Sequence, residues 1–348
     1  MRLDDYRLLG RSGLKVSPMA LGTMTFGTEW GWGAAESDAR DIFDIYVDRG
    51  GNFIDTANFY TGGTSEQMVG AFAAGRRDTL VIATKYTLPM RAGDPNSGGN
   101  SRRAMVRAVE DSLRRLKTDY IDLLYLHAWD STTPVEEILR AMDDLVAAGK
   151  VVYLGLSDIP AWQAARMQAI ADLRGWSPMI ALQLEYNLIE RSGDRDLIPM
   201  AREMGMGVLP WSPLASGLLS GKYRRKDLEG RTDVQGRAAM ARQGSPMDDR
   251  TFGILDVQAD IAAETGQSPA AVALAFLLSQ SGIAAPIVGA RTLEQLQDNL
   301  AALDFELEPA QLSRLEDAGA PDLGFPHSYL KRPEIRQNIY GGLSIQTR

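Results

Sequence analysis

The sequence predicts an α/β fold in which a single domain forms a (β/α)8 TIM barrel. Eight short apolar runs recur along the chain, and longer stretches with apolar residues at helical spacing lie between them. Strands that alternate with helices in this way favour a parallel sheet. Because the spacing is even and the composition does not change along the 348 residues, one closed barrel is favoured over a doubly wound sheet.

The predicted elements follow from this alternation. Strands are expected at Met19–Leu21, Asn52–Asp55, Leu80–Thr84, Tyr120–Leu126, Val151–Leu156, Met179–Leu184, Gly207–Trp211 and Ala284–Val288. Helices are expected at Ser37–Arg49, Ser101–Leu116, Pro134–Ala148, Pro160–Leu173, Asp194–Met204, Ser268–Gln280, Thr292–Leu300 and Pro309–Ala318. Proline at an early helical position and glycine after the last turn set several of these boundaries, as at Pro134 and Gly149.

The segments outside this alternation are predicted to be a hairpin, two loops and a tail. A hairpin at Tyr6–Val16 would close the bottom of the barrel. The loops Thr87–Asn100 and Lys222–Asp249 are long, and long loops are usually functional or mobile. We place them on the C-terminal face. One barrel domain is assigned to residues 1–348, with its core at about 7–320 and a tail at 320–348.

Composition and charge narrow the classes of function. The net charge is −8 and the isoelectric point is near 5.0, which argues against a nucleic-acid-binding surface. The chain has no cysteine, which excludes disulfides, thiolate nucleophiles and cysteine-based zinc sites, and we assign no metal. We find no signal peptide and no apolar run approaching the ~18 residues of a membrane span. We therefore expect a cytoplasmic protein without a membrane partner. Whether the protein forms a homo-oligomer stays an open question.

Four residues with useful chemistry lie at or just after the ends of three successive predicted strands. Asp55 ends the second strand and Tyr60 follows it, Lys85 ends the third, and His127 ends the fourth. Chemistry in a (β/α)8 barrel takes place at the carboxyl ends of its strands. Taken singly, each residue has an ordinary interpretation: a turn cap, an exposed charge or a core histidine.

Together these four residues indicate general-acid catalysis on a carbonyl. A carbonyl accepts hydride poorly until a proton donor engages its oxygen. Tyrosine is a weak acid with a pKa near ~10, and a lysine ammonium beside Tyr60 would lower that pKa. Asp55 would keep the buried Lys85 charged, and His127 would donate a second hydrogen bond to the developing oxyanion.

Longer segments of the chain resemble the aldo-keto reductases, in particular the branch of aryl-alcohol dehydrogenases and potassium-channel β-subunits. The resemblance covers about residues 7–320. It is carried by LGTMTFG (21–27), NFIDTANFY (52–60), VIATK (with Lys85), SLRRLKTDYIDLLYLH (112–127), GKVVYLGLSD (149–158), LQLEYN (182–187), VLPWSPLASGLLSGKY (208–223) and IVGARTLEQLQDN (287–299). It implies a (β/α)8 barrel that binds extended NADPH, with Asp55, Tyr60, Lys85 and His127 as a catalytic tetrad and Tyr60 as proton donor.

The resemblance also accounts for missing nucleotide motifs. The chain has no G-x-G-x-x-G fingerprint after its first strand, and the nearest sequence, Gly205-Met-Gly207-Val-Leu-Pro210, lacks the third glycine. The segment around Lys222 does not have the spacing of a P-loop either. This family binds its dinucleotide without a Rossmann domain.

By resemblance, the cofactor contacts lie at several strand ends. Ser157 and Gln183 would hold the nicotinamide carboxamide, and Trp211 would stack on the ring. The complete set of cofactor residues is Thr23, Met24, Asp55, Ser157, Asp158, Gln183, Trp211, Ser212, Pro213, Leu214, Ala215, Ser216, Lys222, Arg231, Gly289, Arg291, Gln295, Asp298 and Asn299. Arg291 favours NADPH because its guanidinium suits a 2′-phosphate, with Arg231 as a second candidate, and NADH stays open. Many family members have Asn where this chain has Asp158, which lacks the amide donor.

The barrel-top loops are rich in aromatic residues, which predicts a bulky apolar substrate pocket. We assign substrate contacts to Trp30, Tyr60, Tyr86, His127 and Trp129. The expected substrate is a small-molecule carbonyl or alcohol, specifically an aromatic or cyclic aldehyde or ketone. Other aromatic side chains, such as Trp32, could instead pack the loops.

Two other functions stay open. The protein could be an NADPH-binding regulatory subunit, since the channel β-subunits share the barrel. His127 favours an enzyme, because Asn is common at that position in those subunits. Alternatively, an unrelated barrel could use Lys85 as a Schiff-base lysine, as an aldolase does, although Tyr60, Asp55 and the cofactor segments argue against it.

Overall fold

The computed structural model describes residues 1–222, 248–343 and 345. Its strands are β1 (Arg7–Leu8), β2 (Lys15–Val16), β3 (Ala20–Gly22), β4 (Phe53–Asp55), β5 (Val81–Tyr86), β6 (Ile121–Leu126), β7 (Val151–Ser157), β8 (Met179–Glu185), β9 (Gly207–Trp211) and β10 (Ile287–Gly289). Strands β1 and β2 form the predicted antiparallel hairpin. The other eight form one parallel sheet in the order β10-β3-β4-β5-β6-β7-β8-β9.

The sheet curves into a nearly closed barrel, which confirms the predicted fold class. Its two ends meet at a parallel bridge between Val208 of β9 and Ile283, where the Ala284 amide donates to the Val208 carbonyl over 2.8 Å. The predicted last strand, Ala284–Val288, begins too early. Pro286 has no amide hydrogen, and the continuous ladder with β3 starts only after it, at Ile287.

Helices cover the outside of the barrel. They are α1 (Glu36–Asp48), α2 (Thr64–Phe72), α3 (Arg102–Leu116), α4 (Val135–Ala147), α5 (Ala161–Arg174), α6 (Leu197–Met204), α7 (Asp249–Thr265), α8 (Pro269–Ser279), α9 (Leu293–Leu300), α10 (Pro309–Gly319), α11 (His327–Leu330) and α12 (Pro333–Ile339). Helices α2 and α7 were missed by the sequence analysis, as were the two short helices of the tail. The start of α2 has no side-chain cap, because Gly63, at φ 98°, precedes it.

Strand alternation divides the apolar side chains into two layers. On β6, Leu123 and Tyr125 belong to the cluster inside the barrel, whereas Leu124 and Leu126 pack between the sheet and the helices. Leu9 of the hairpin belongs to the inner cluster and is fully buried. Since both faces of a parallel barrel strand are covered, such strands read as continuous apolar runs.

No single helix among the described residues has both the length and the apolar composition of a membrane span. Helices α7 and α8 meet such criteria only as a pair, by length and composition, and they are bent by 98° at their junction.

Candidate active site

The barrel brings the four predicted catalytic residues together at the carboxyl ends of β4, β5 and β6. Asp55 is the last residue of β4, Lys85 lies one residue before the end of β5, and His127 directly follows β6. On β5, Val81 and Ala83 point into the barrel, so the alternation of the strand turns Lys85 inward as well. Tyr60 reaches the same place from a 3-10 turn after β4.

Lys85 joins the carboxylate to the tyrosine. Its Nζ donates to Asp55 Oδ1 over 2.5 Å, to the Thr56 carbonyl over 2.9 Å and to Tyr60 Oη over 3.1 Å. The side chain is fully buried. Burial by itself would lower the pKa of Lys85, but Asp55 and Tyr60 outweigh burial and the net pKa is raised. Lys85 is therefore a charged ammonium with all three of its donors engaged.

Tyr60 remains a protonated phenol in the free protein. Burial raises its pKa above the ordinary value, and Lys85 pulls in the opposite direction but does not offset burial. Lys85 lowers the pKa of Tyr60, as the sequence analysis expected, but burial and, to a lesser extent, Asp55 raise that pKa by more, so the net direction is upward. The phenol is thus the form that can donate a proton.

His127 lies opposite the Tyr60 ring as a neutral imidazole. The two ring centroids are 6.0 Å apart at an interplanar angle of 82°. Burial, assisted by the Lys85 charge, lowers the pKa of His127 to about 3. The backbone amide of His127 donates to the Tyr86 carbonyl and to Thr87 Oγ1, while Nδ1 has no hydrogen-bond partner in the described part of the chain. The site therefore presents two neutral groups that can hydrogen-bond one oxygen atom.

We call Asp55, Tyr60, Lys85 and His127 the catalytic corner. The residues predicted to hold nicotinamide lie beside it, at the ends of β7, β8 and β9. Gln183 Nε2 donates to Asp55 Oδ2 over 2.9 Å, which connects the two groups of residues. Ser157 Oγ is buried and has no partner among the described residues. Asp158, Gln183 and Trp211 line a cavity of about 280 Å³. An unpartnered buried hydroxyl next to a cavity with an indole wall fits an aromatic amide such as nicotinamide.

Asp158 contacts the predicted ring platform. Its Oδ1 accepts from Trp211 Nε1 over 3.0 Å, and its backbone has a φ of 42°. Burial raises the pKa of Asp158, while the Trp211 hydrogen bond and the Lys85 charge oppose that rise. The carboxylate thus orients the indole, a role that the sequence analysis did not assign to it.

The segment after β9 forms a tight turn. Positive φ angles of 50°, 47° and 54° occur at Ser212, Ala215 and Ser216. Asn187 Nδ2 donates to the Ser212 carbonyl, and the Ser216 amide donates to Ser212 Oγ. Non-glycine residues in this conformation are strained, and such strain concentrates at ligand-binding sites. Within this same segment lie the other predicted pyrophosphate residues, Pro213, Leu214 and, at its exposed end, Lys222.

A third group of predicted residues surrounds the end of β10. Arg291 Nε is buried without a partner among the described residues, and the Arg291 amide donates to Gln295 Oε1. Asn299 Nδ2 donates to the Gly289 carbonyl, which gives this side chain a structural contact. Asp298 lies on the same helix, α9. Arg231 lies outside the described residues, so it stays a prediction.

Two cofactor candidates lie on the segment after β3. The Thr23 hydroxyl is buried and donates to the Asp55 carbonyl over 2.9 Å, so it holds the catalytic strand in place. Met24 is the next residue along the chain and is partly exposed.

Among the predicted substrate contacts, Trp30 lies next to Tyr60, with ring centroids 6.4 Å apart. Trp30 also contacts Trp32 and Phe59, at 5.6 Å and 5.7 Å. Phe59 was missed by the sequence analysis, although it directly precedes Tyr60. These rings form an aromatic wall beside the proton donor.

The other two predicted aromatic contacts lie differently. Tyr86 is only 1% exposed and packs between the sheet and the helices, because it alternates with the inward-facing Lys85. Its assignment to the substrate pocket was wrong. Trp129 is half-buried against the same outer layer, and its amide donates to the Asp158 carbonyl.

Comparison with known proteins agrees with this geometry. The family model described as Aldo/keto reductase family matches residues 18–320. Norsolorinic acid reductase of Aspergillus flavus is 37% identical over 339 residues, which cover 94% of this chain and 84% of the relative. Aldo-keto reductase ausK of Aspergillus calidoustus is 38% identical over 341 residues, or 93% of this chain and 84% of the relative. Aryl-alcohol dehydrogenase [NADP(+)] of Phanerodontia chrysosporium is 38% identical over 334 residues, or 90% and 86%. The chain therefore belongs to the aldo/keto reductase family and is an oxidoreductase.

Proposed function

We propose that the protein is an NADPH-dependent carbonyl reductase with Tyr60 as its proton donor. The observation that carries the proposal is the position of the Lys85 ammonium, which bonds Asp55 and Tyr60 at once beside the neutral His127. This arrangement offers a carbonyl oxygen one acidic hydroxyl and one further hydrogen-bond donor.

The bound cofactor would supply the hydride that adds to the carbonyl carbon. As electrons move onto the carbonyl oxygen, Tyr60 donates its proton to that oxygen and becomes a phenolate. The Lys85 ammonium, 3.1 Å away, stabilises this phenolate, and Asp55 keeps Lys85 charged. His127 donates a hydrogen bond to the same oxygen. In the reverse direction the phenolate accepts the proton of the alcohol.

Cofactor identity rests on the groups around the barrel mouth. The Ser157 hydroxyl, which has no partner among the described residues, and the Trp211 indole suit a nicotinamide, and the guanidinium of Arg291, whose Nε likewise has no partner there, suits a 2′-phosphate. One relative carries NADP(+) in its name. We therefore assign NADPH rather than NADH as the preferred reductant.

The aromatic wall supports an aromatic or cyclic substrate. Trp30, Trp32 and Phe59 stand beside the proton donor, where they would pack against an aryl aldehyde or an alicyclic ketone. The relatives include a norsolorinic acid reductase and an aryl-alcohol dehydrogenase, whose names agree with such a substrate. The corresponding alcohol is the product of reduction.

The state of Lys85 argues against the Schiff-base alternative. An amine that forms a Schiff base must be neutral and free to attack. Lys85 has a raised pKa, and its three donors are engaged by Asp55, Thr56 and Tyr60. The presence of His127 favours turnover over a purely regulatory role of the channel β-subunit type.

The experiment is a cofactor titration followed by a substrate panel. Purified full-length protein is titrated with NADPH and with NADH while tryptophan fluorescence is recorded. Loss of reduced nicotinamide absorbance is then measured with aryl aldehydes and alicyclic ketones as substrates. Short aliphatic aldehydes are the controls. We expect tighter binding of NADPH and higher kcat/KM for the cyclic carbonyls. Binding of neither cofactor, or no turnover with any carbonyl, would contradict the proposal.

A further inference from the structure

The cavity beside Trp211 has an acidic wall. Asp158, Glu185 and Glu190 all line it, and its described lining residues include no lysine or arginine. Within the described parts of the chain, Lys85 is the cation that acts on Asp158, and its charge is already compensated by Asp55 at 2.5 Å. Among the residues that the structure describes, the wall therefore carries carboxylates without a lysine or arginine of its own.

The carboxylates of this wall repel one another. Burial, together with the charges of Glu190 and Asp158, raises the pKa of Glu185 to about 7. A positive charge that entered the cavity would relieve this repulsion. Glu185 alternates with Leu184 on β8 and so shares a face with Gln183, which already contacts the catalytic Asp55.

Two backbone hydrogen bonds and one carboxylate hydrogen bond hold Asp158 in place. Its amide donates to the Gln183 carbonyl over 3.4 Å, its carbonyl accepts from the Trp129 amide over 3.2 Å, and Oδ1 accepts from Trp211 Nε1. Trp211 is the predicted platform for the nicotinamide ring. A fixed carboxylate at the edge of that platform acts directly on the charge of whatever stacks there.

The redox state of nicotinamide determines its charge. The oxidised ring carries one positive charge and the reduced ring is neutral, whereas the phosphates are the same in both forms. We propose that Asp158 and Glu185 make this site bind NADP⁺ in preference to NADPH, which makes the bound NADPH a stronger hydride donor. This inference rests on the proposed function, because it requires the nicotinamide to bind at Trp211.

The test compares the affinities of the two redox forms in matched variants. Dissociation constants for NADP⁺ and for NADPH are measured by tryptophan fluorescence on the wild type, Asp158→Asn and Glu185→Gln. Asp158→Asn keeps an oxygen that can accept from Trp211 and removes only the charge. Asp119→Asn is the control, since it removes one exposed charge just before β6, at the opposite end of the barrel.

Loss of either carboxylate should raise the ratio of the NADP⁺ to the NADPH dissociation constant. For a partly screened charge we expect a change of about fivefold, and a tenfold change corresponds to about 30 mV in the potential of the bound couple. Effects on the phosphates cancel in this ratio. The ratio for Asp119→Asn should equal that of the wild type.

A further variant separates charge from orientation. Asp158→Ala removes the Trp211 hydrogen bond as well, so it should weaken binding of both redox forms in addition to changing their ratio. Circular dichroism checks that each variant is folded. If the wild type binds both forms and neither Asp158→Asn nor Glu185→Gln changes the ratio, the inference is overturned and the proposed function stands. If the wild type binds neither form, both fail.

Discussion

The catalytic corner and the acidic wall differ in how their charges are balanced. At the corner, the Asp55 carboxylate meets the Lys85 ammonium at 2.5 Å, and both side chains are buried. At the wall, the described residues that line the cavity with Asp158 and Glu185 include no lysine or arginine. The Gln183 side chain connects the two regions, because it lines the cavity and donates to Asp55 Oδ2 over 2.9 Å. The protein therefore pairs its own charges where a proton moves, and it leaves carboxylates without a described cation where a cationic ring is proposed to bind.

The largest effect should come from removing the proton donor. Tyr60→Phe deletes the hydroxyl bonded to Lys85 and should lower kcat by about 10²- to 10⁴-fold, the usual contribution of a general acid. Affinity for NADPH should stay near that of the wild type, because the acidic wall is untouched. Steady-state kinetics and fluorescence titration measure the two quantities. The control Tyr6→Phe, which removes an exposed hydroxyl from the N-terminal segment, should keep full activity. Full turnover of Tyr60→Phe would remove Tyr60 as the acid.

The next effect concerns stability. Lys85→Met leaves the buried Asp55 carboxylate without its cation and should lower the free energy of unfolding by about 3–5 kcal/mol. The double variant Lys85→Met with Asp55→Asn removes both charges and should recover much of this loss without recovering activity. Asp158→Asn should change stability far less, because its carboxylate has no such partner. Denaturant unfolding measures all three. Equal losses for Lys85→Met and Asp158→Asn would show that the two regions do not differ.

The smallest effect is a pH dependence that should arise from the wall and not from the corner. Tyr60 has a raised pKa and His127 a pKa of about 3, so the required phenol and neutral imidazole persist from about pH 5 to about pH 9. Glu185, with a pKa of about 7, is faced by Asp158, which directly follows β7, and by Glu190 from the loop after β8. As pH rises through 7, Glu185 gains its charge and NADP⁺ should bind more tightly.

This dependence is measured as the ratio of the NADP⁺ and NADPH dissociation constants across that pH range. The step near neutral pH should disappear in Glu185→Gln and persist in His127→Asn. A step that disappears in His127→Asn instead would place the titrating group in the corner.

The sequence determined the barrel and most of the catalytic corner. Alternating apolar runs predicted the strands, and polar residues at strand ends predicted Asp55, Lys85 and His127, because barrel strands run parallel and end on one face. The same alternation could have excluded Tyr86, whose neighbour Lys85 points inward. It could also have indicated Glu185, which follows Gln183 by two residues.

The tertiary structure decided what local pattern cannot contain. The net direction of the Tyr60 pKa depends on burial and on Asp55 together, which are properties of the packed site. The hydrogen bond from Trp211 to Asp158 joins two strands that are separated by β8, and the acidic wall exists only where β7, β8 and β9 meet. Periodicity along a chain fixes which face a side chain takes, whereas distances between strands fix which charges meet and which stay unpaired.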